Sequence, residues 1–431
     1  MTEEKFVFTS LAKKRVFTVI GLGIILLLLG MFMLANHIGV EHHEHTRIFP
    51  EDTHHDHAQF EHVEWSVRII KNIWHNNIFF VGISIIGVFF IAFNYVAWAG
   101  WSAVLKRIPE AFGYFLPIGF VLTLLTFLIF NHDLFHWTHH GLTDPNDPHY
   151  DALIAGKSTY LNLGFFIFRM IAYFALWIIV WFMLRKFSLA EDIEGGFTYY
   201  NKSIVWSAIF LIIFGVTSSM AAWDWVMSMD PHFFSTMFGW YVLASWLISG
   251  LAVITLTTLY LKDAGYLPMV NSSHLHDLGK FMFAFSIFWT YIWFAQFLLI
   301  YYANIPEESV YFVERLKNDV YSPFFFGNLI INFFFPFLVL MTADAKRQAL
   351  ILKVVAVAIL LGHWSDFYLM MTPGTLGPAG GFDFLFFFIE LGMAMIYAGL
   401  FAFALMFGLA KASLVAKNHP MIEESIHHHV Y

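Results

Sequence analysis

Long apolar runs alternate with shorter polar breaks along the whole chain. Ten runs reach the roughly 20 residues that a helix needs to cross a bilayer. They lie at about 16–36, 76–100, 111–131, 161–184, 203–226, 235–261, 279–303, 322–342, 348–371 and 382–410. None shows the short apolar–polar alternation of a membrane barrel strand. The pattern therefore predicts an all-α integral membrane protein with ten transmembrane helices. The first break after a span, about 37–72, differs from the rest. It holds eight histidines between His37 and His62, several acids and few apolar residues. It reads either as a solvated loop or as a weak metal-binding or protein-docking segment.

The charges test the count. Fifteen Lys and Arg fall on the side that holds both termini and six on the other, with Arg169 and Lys353 inside spans. The positive-inside rule then puts both termini in the cytoplasm. Lys13, Lys14 and Arg15 precede the first run as in a signal peptide, but the run is too long and no clean cleavage site follows. It reads as a retained span.

Composition agrees with the pattern and narrows the chemistry. The chain of 431 residues is 59% hydrophobic, 20% aromatic with 52 Phe, and 13% charged. Soluble domains carry about 25% charged residues. Cysteine is absent, which excludes cysteine-ligated iron–sulfur clusters, thiolate zinc and covalently attached haem. The formal charge of -8 carries no nucleic-acid signal. No glycine-rich phosphate loop precedes a helix, and no span holds the pair of histidines that a two-haem bundle needs. The triplet His427–His429 is too short to read as a tag.

Ionisable groups inside a membrane span are costly and point to function by default. Asp224 lies near the outer end of the fifth span. His363 and Asp366 lie in the outer part of the ninth, Gln296 in the outer half of the seventh, and Glu390 midway along the tenth. Arg169 enters from the outer end of the fourth, about 12 Å deep at 1.5 Å per residue. On the inner side lie Glu110, Asp277, Lys280, Asp344 and Lys353, most of them close enough to the surface to snorkel. Two readings of the outer group stand. One is packing, with Arg169 paired to Asp224 or Asp366. The other is a polar pocket that exchanges protons with the periplasm. Glu390, set among Phe, Ile and Leu, is expected to be desolvated and to favour its protonated form. The stretch HDLFHWTHH closes the third span. Its histidines would share a helical face if the helix continued, but the prolines of GLTDPNDP end it. His132, Asp133 and His136 read as the mouth of a proton exit, and His139 and His140 as loop residues.

Four stretches carry a family resemblance: AAWDWVMSMDPHFFSTMFGWY (221–241), YIWFAQFLLIYYANIPEE (291–308), NLIINFFFPFLVLMTADAKR (328–347) and HWSDFYLMMTPG (363–374). With ten spans they resemble the NrfD/PsrC-like membrane subunits of bacterial alternative complex III. The histidine-rich loop and chain length are most similar to the second quinone-binding subunit. The resemblance implies a membrane subunit of a respiratory quinol:electron-acceptor oxidoreductase, with cytochrome c or an oxidase as acceptor, in the bacterial inner membrane. It implies two four-helix bundles, spans 2–5 and 6–9, with spans 1 and 10 peripheral. The units would then be 1–36, the loop 37–75, the bundles 76–226 and 227–371, and 372–431. It implies a second membrane subunit, an iron–sulfur subunit and c-type cytochrome subunits as partners, and a terminal oxidase as a further one. Those partners would carry the haem c and iron–sulfur clusters, and this chain would bind lipid and at most a quinone. Asp224 and Asp366 carry over by motif; Arg169, Glu390 and the 132–136 histidines rest on depth alone. A non-catalytic scaffold that docks the redox subunits is the rival. A transporter is disfavoured, because no matched pair of broken spans is visible.

Overall fold

The computed structural model describes residues 4–36, 65–377 and 384–430. The histidine-rich stretch His37–His62 lies outside the described residues. The protein is an all-α, multi-span membrane protein. Ten helices are long and apolar enough to cross a bilayer: α1 Ser10–Leu34, α2 Ser66–Val96, α3 Arg107–Leu134, α4 Leu163–Glu194, α5 Thr198–Met229, α6 Met237–Asp263, α7 Ser272–Ala303, α8 Ser322–Val339, α9 Ala349–Leu376 and α10 Leu385–Leu409. An isolated bridge between Lys5 and Ser413 holds the two chain ends together on one face, called here the terminal face; the opposite one is the far face.

Burial ranks the helices. In their most apolar windows, 89% of α2 and 83% of α6 is buried, against 17–50% elsewhere. These two form the axis of the molecule. Lipid tails are as apolar as leucine, so close backbone approach rather than a hydrophobic drive must hold such helices together. Glycine supplies it: a Cβ on Gly82 of α2 would stand 1.9 Å from the Trp246 indole of α6, and one on Gly250 would stand 2.4 Å from Ile86. The same device joins α1 to α10, where a Cβ on Gly23 would lie 2.7 Å from the Gly392 carbonyl. The outer side of α1 exposes Leu11, Phe17, Leu22, Ile25, Leu28 and Phe32, a surface that only lipid or another helix can cover.

Two spans are not regular. α3 breaks at a 3-10 turn, Gly113–Phe115, before Pro117 restarts it. α8 carries a π turn at Ile330–Phe334. Widened turns of this kind cluster at functional sites. Here the turn presses Asn332 against α9, where a Cβ on Gly362 would come within 2.0 Å of its amide oxygen.

Two boundary expectations are corrected. α2 begins about ten residues before its expected start, so Arg68, Lys71 and His75 lie in the helix rather than in the outer loop, and all three are buried. On the terminal face, Glu110 does not snorkel: it is buried with Lys106, Arg107 and Arg185. The positive bias of that face still stands on Lys13, Lys14, Arg15, Lys186 and Lys202, none of them buried. The C-terminal tail, including a short helix at Ile422–Ile426, packs over this face. Asn418 Nδ2 donates to the Asp192 carbonyl of α4, and His428 Nε2 meets Asp277 Oδ2 of α7 at 2.6 Å.

Candidate functional site

The polar groups of the far half do not form one pocket. They divide into four sets, each positioned by different helices.

In the first, Arg169 of α4 grips Asp224 of α5 in a bidentate pair, Nε–Oδ2 at 2.8 Å and Nη2–Oδ1 at 2.9 Å. The Tyr173 hydroxyl donates to the same carboxylate at 3.2 Å, and Arg169 Nη1 donates to the Tyr160 carbonyl at 2.9 Å. Both side chains are almost fully buried. Of the two partners open to Arg169, Asp224 is the one it takes. The pair is closed, with no room for a substrate between its members.

The second set corrects the reading of Glu390. It sits in the first turn of the regular helix Ile389–Leu409, not midway along the span. It is not isolated among apolar residues either. Arg68 Nε and Nη2 bind its two oxygens at 2.8 and 3.0 Å, and Asn72 Nδ2 donates to it at 3.1 Å. Lys71 lies beside this pair, fully buried, with Nζ 3.0 Å from Thr372 Oγ1 and 3.9 Å from the centre of the Tyr368 ring. His75 Nε2 donates to the Trp364 carbonyl at 3.1 Å. Sequence reasoning missed Lys71 and His75. The signal was present: Arg68, Lys71, Asn72 and His75 follow i, i+3, i+4, i+7, one face of a helix.

The third set is a connected chain. Asp366 of α9 accepts the Tyr241 hydroxyl on Oδ1, and on Oδ2 it accepts Ser245 Oγ at 2.6 Å and Trp289 Nε1 at 3.0 Å. Ser245 also meets His363 Nδ1 at 2.9 Å. A serine hydroxyl has one proton. If that proton is on Asp366, His363 must donate through Nδ1, which leaves Nε2 as a bare acceptor. In keeping with this, Nε2 has no partner. The other end of the chain opens on a cavity the size of a water, lined by Tyr241, Trp293, Gln296, Tyr311, Arg315 and Phe325. Gln296 is buried and its Nε2 has no partner. Arg315, from the amphipathic helix Pro306–Lys317, donates to the carbonyls of Tyr311, Leu369 and Met370 and stacks 3.3 Å from the Tyr311 ring centre. Beside it, burial pushes the Glu314 carboxyl above its ordinary range, against the pull of Arg315.

Asp366 differs from every other buried carboxylate. Glu110, Glu191, Asp224, Asp277 and Glu390 each have a Lys or Arg within 4 Å. Among the described residues Asp366 has none; its nearest basic group is His363 Nδ1 at 3.8 Å. It is held by three neutral donors instead.

The fourth set redraws the HDLFHWTHH stretch. α3 is already distorted at Phe130 and ends at Leu134, so the histidines do not share a helical face. The turn folds His139 and His140 back, and their rings lie 5.8 and 5.6 Å from that of His132. His136 lies between two groups, its ring 5.1 Å from that of His139 and 6.5 Å from that of His232, which meets Asp151 at 2.6 Å. Asp133 is exposed and joins neither group. His132 and His136 thus both pack on the His139 ring, and Asp133 stands outside that contact. Burial, then His139 and His232, pushes His136 below the ordinary histidine range. Burial would push Asp151 up, but hydrogen bonds from His232 and two backbone N–H groups hold it below the usual carboxylate range. Among the described residues no group of three His, Asp or Glu has metal-binding geometry.

No family model matches the chain, and no curated protein matches it.

Proposed function

We propose that this chain is the proton-handling membrane subunit of a respiratory quinol:electron-acceptor oxidoreductase, with Asp366 as its proton acceptor. The observation that carries this is the buried carboxylate without a cation. A carboxylate locked to arginine is held ionised, whereas one held by neutral donors changes its proton occupancy at smaller cost. In this scheme a proton reaches Asp366 from the water-sized cavity through the Tyr241 hydroxyl. It leaves along Ser245 and His363 in the other tautomer: Asp366 returns a proton to Ser245 Oγ, the serine passes its own to the bare Nδ1, and the imidazole releases the proton on Nε2. Gln296 holds the cavity water.

The donors around the cavity suit a quinone carbonyl, but the space holds a water and not a ring. The proposal therefore gives this chain the proton and leaves the quinone to a neighbouring membrane subunit or to a site shared with it. The same reading takes α2–α5 and α6–α9 as two four-helix bundles. In its support, neighbours pack pairwise in two rings, α2 against α3 and α5, and α6 against α7 and α9. It places the chain in a bacterial inner membrane with the terminal face in the cytoplasm. Its partners would be a second membrane subunit of the same type, an iron–sulfur subunit, c-type cytochromes and a terminal oxidase.

The test is Asp366→Asn and Tyr241→Phe in the assembled complex, with quinol oxidation and proton release measured together. Loss of a positioned proton acceptor costs on the order of 100-fold in rate, and Tyr241→Phe is expected to cost less. Wild-type rate and stoichiometry in both variants refute it. The scaffold reading keeps one specific support, the closed pairs Arg169–Asp224 and Arg68–Glu390. It predicts that substitution at Asp366 leaves turnover intact.

A further inference from the structure

The terminal face carries a second acid whose surroundings are as unlike its neighbours' as those of Asp366. Three carboxylates of α3 and α4 lie together there. Glu110 is saturated: Arg107 Nη1 donates to it at 3.0 Å, Arg185 donates to the same oxygen, and Ser188 Oγ donates to the other at 2.5 Å. Asp192 takes Arg107 on one oxygen and the Lys417 N–H, at 2.9 Å, on the other. Glu191 is loosely held. Its Oε2 accepts Lys106 Nζ at 3.3 Å and the Tyr95 hydroxyl at 3.5 Å, the long limit of a hydrogen bond. Its Oε1 has no hydrogen-bond partner and faces His419 Nε2 at 3.9 Å.

In front of it lies a cavity, partly open, with room for about one water. Tyr95, Lys106 and His419, the three residues nearest the Glu191 carboxylate, line it together with Asn94, Ser102 and Tyr200. Asn94 Oδ1 in its lining is buried and unpartnered, as are Glu191 Oε1 and Ser203 Oγ outside the lining. The charged and titratable groups around Glu191 come from every element packed on it. They are Tyr95 of α2, Lys106 before α3, Arg107 and Glu110 of α3, Arg185 and Asp192 of α4, Tyr200 of α5, and His419 and Glu424 of the tail. Lys106, Arg107 and Arg185 balance Glu110, Glu191 and Asp192, so no anionic ligand is called for. The unpartnered atoms include two carbonyl-type acceptors that lack a donor, and a donor that also fits the cavity is water.

We propose that Glu191 is a proton-exchange site of the terminal face, loaded from water in the cavity gated by His419. A proton arriving on Oε1 is donated to the cavity water, because His419 Nδ1 accepts the Met421 N–H and its Nε2 carries the ring proton. The proton leaves by the same water. This stands whether or not Asp366 carries protons, since it concerns another acid on another face.

The test labels membranes that contain the full chain with dicyclohexylcarbodiimide, which adds to protonated carboxyls in apolar surroundings, followed by peptide mass spectrometry. The expected result is an adduct on Glu191 and none on Glu110 or Asp192, lost in Glu191→Gln. Labelling should fall with rising pH, approaching about tenfold per unit once most of the acid is ionised. His419→Ala, which opens the cavity, should raise the rate. Absence of the adduct in both the wild type and His419→Ala, or equal labelling of Glu110, overturns the proposal.

Discussion

Replacing one partner of the Arg169–Asp224 pair should destabilise the protein far more than replacing both. Each charge is buried, with side-chain exposures of 3% and 1%. Their attraction at this range is about 4 kcal/mol at an effective dielectric of 20. Removing one member also strands the other, and together these effects cost about 3–5 kcal/mol. The double replacement Arg169→Met with Asp224→Leu strands no charge. It loses a hydrogen bond to the Tyr160 carbonyl and one from Tyr173, about 1 kcal/mol each, partly offset by relief of two desolvation costs. The double variant should therefore lie within about 2 kcal/mol of wild type, above either single one. Unfolding by detergent titration in mixed micelles measures this, with proton release by the assembled complex measured in parallel. Additive losses, with the double variant worse than both singles, refute the reasoning. A stable Asp224→Asn protein with abolished turnover would move Asp224 from packing to chemistry.

Three further outcomes follow from the packing and the charges. Gly82→Ala drives a methyl into the Trp246 indole and should cost about 1–3 kcal/mol or more; an unchanged melting temperature would mean that α2 and α6 are not in close contact. Lys71→Met keeps the length of a fully buried side chain that contacts the Thr372 hydroxyl and the Tyr368 ring; relief of desolvation should leave stability equal or higher, and a clear loss on thermal unfolding refutes that. Burial, then Lys106, pushes His419 down to about 3. Its folded value thus lies below its unfolded one, so the tail's anchorage is full above about pH 6.5 and weakens as pH falls toward 3, by up to about 1.4 kcal/mol per unit. Hydrogen exchange in residues 411–430 should rise between pH 7 and 5, and equal protection after correction for intrinsic rates counts against it.

The helices were legible because spanning a bilayer requires about 20 apolar residues, and that requirement leaves a mark in composition alone. The partners of buried charges left no such mark. Glu390 read as isolated because its neighbours in the chain are Phe, Ile and Leu, while its partner Arg68 lies 322 residues away. Arg68 and Lys71 read as loop charges because a hydropathy threshold trims polar residues from the end of a span. A helix fully wrapped by protein, as α2 is, can keep them. Glu110 read as near the surface for the opposite reason: depth was inferred from distance to the helix end, which ignores Arg107, Arg185 and Ser188 packed around it. Asp366 was singled out by its depth and motif, and it is buried. What makes it different, three neutral donors and no cation, depends on α6 and α7 converging on α9, and no local pattern encodes that.

The two weakly held acids stand at opposite ends of the molecule and in different sets of helices. Among the described residues their hydrogen bonds share no member: Asp366 joins Tyr241, Ser245, Trp289 and, through Ser245, His363, whereas Glu191 joins Tyr95 and Lys106. Between the ends, the axis of α2 and α6 is packed with Trp246 stacked on Phe367 and with glycines that admit no side chain. The hydroxyls of that layer, Ser84, Ser249 and Thr255, each donate to a carbonyl one turn back in their own helix. Each acid then exchanges with its own face, and a proton crosses only if the layer between them rearranges. Rearrangement needs a source of differential binding energy. On the proposed reading that energy comes from a redox partner, so proton release by the isolated chain in vesicles should be negligible while release by the assembled complex tracks electron flow.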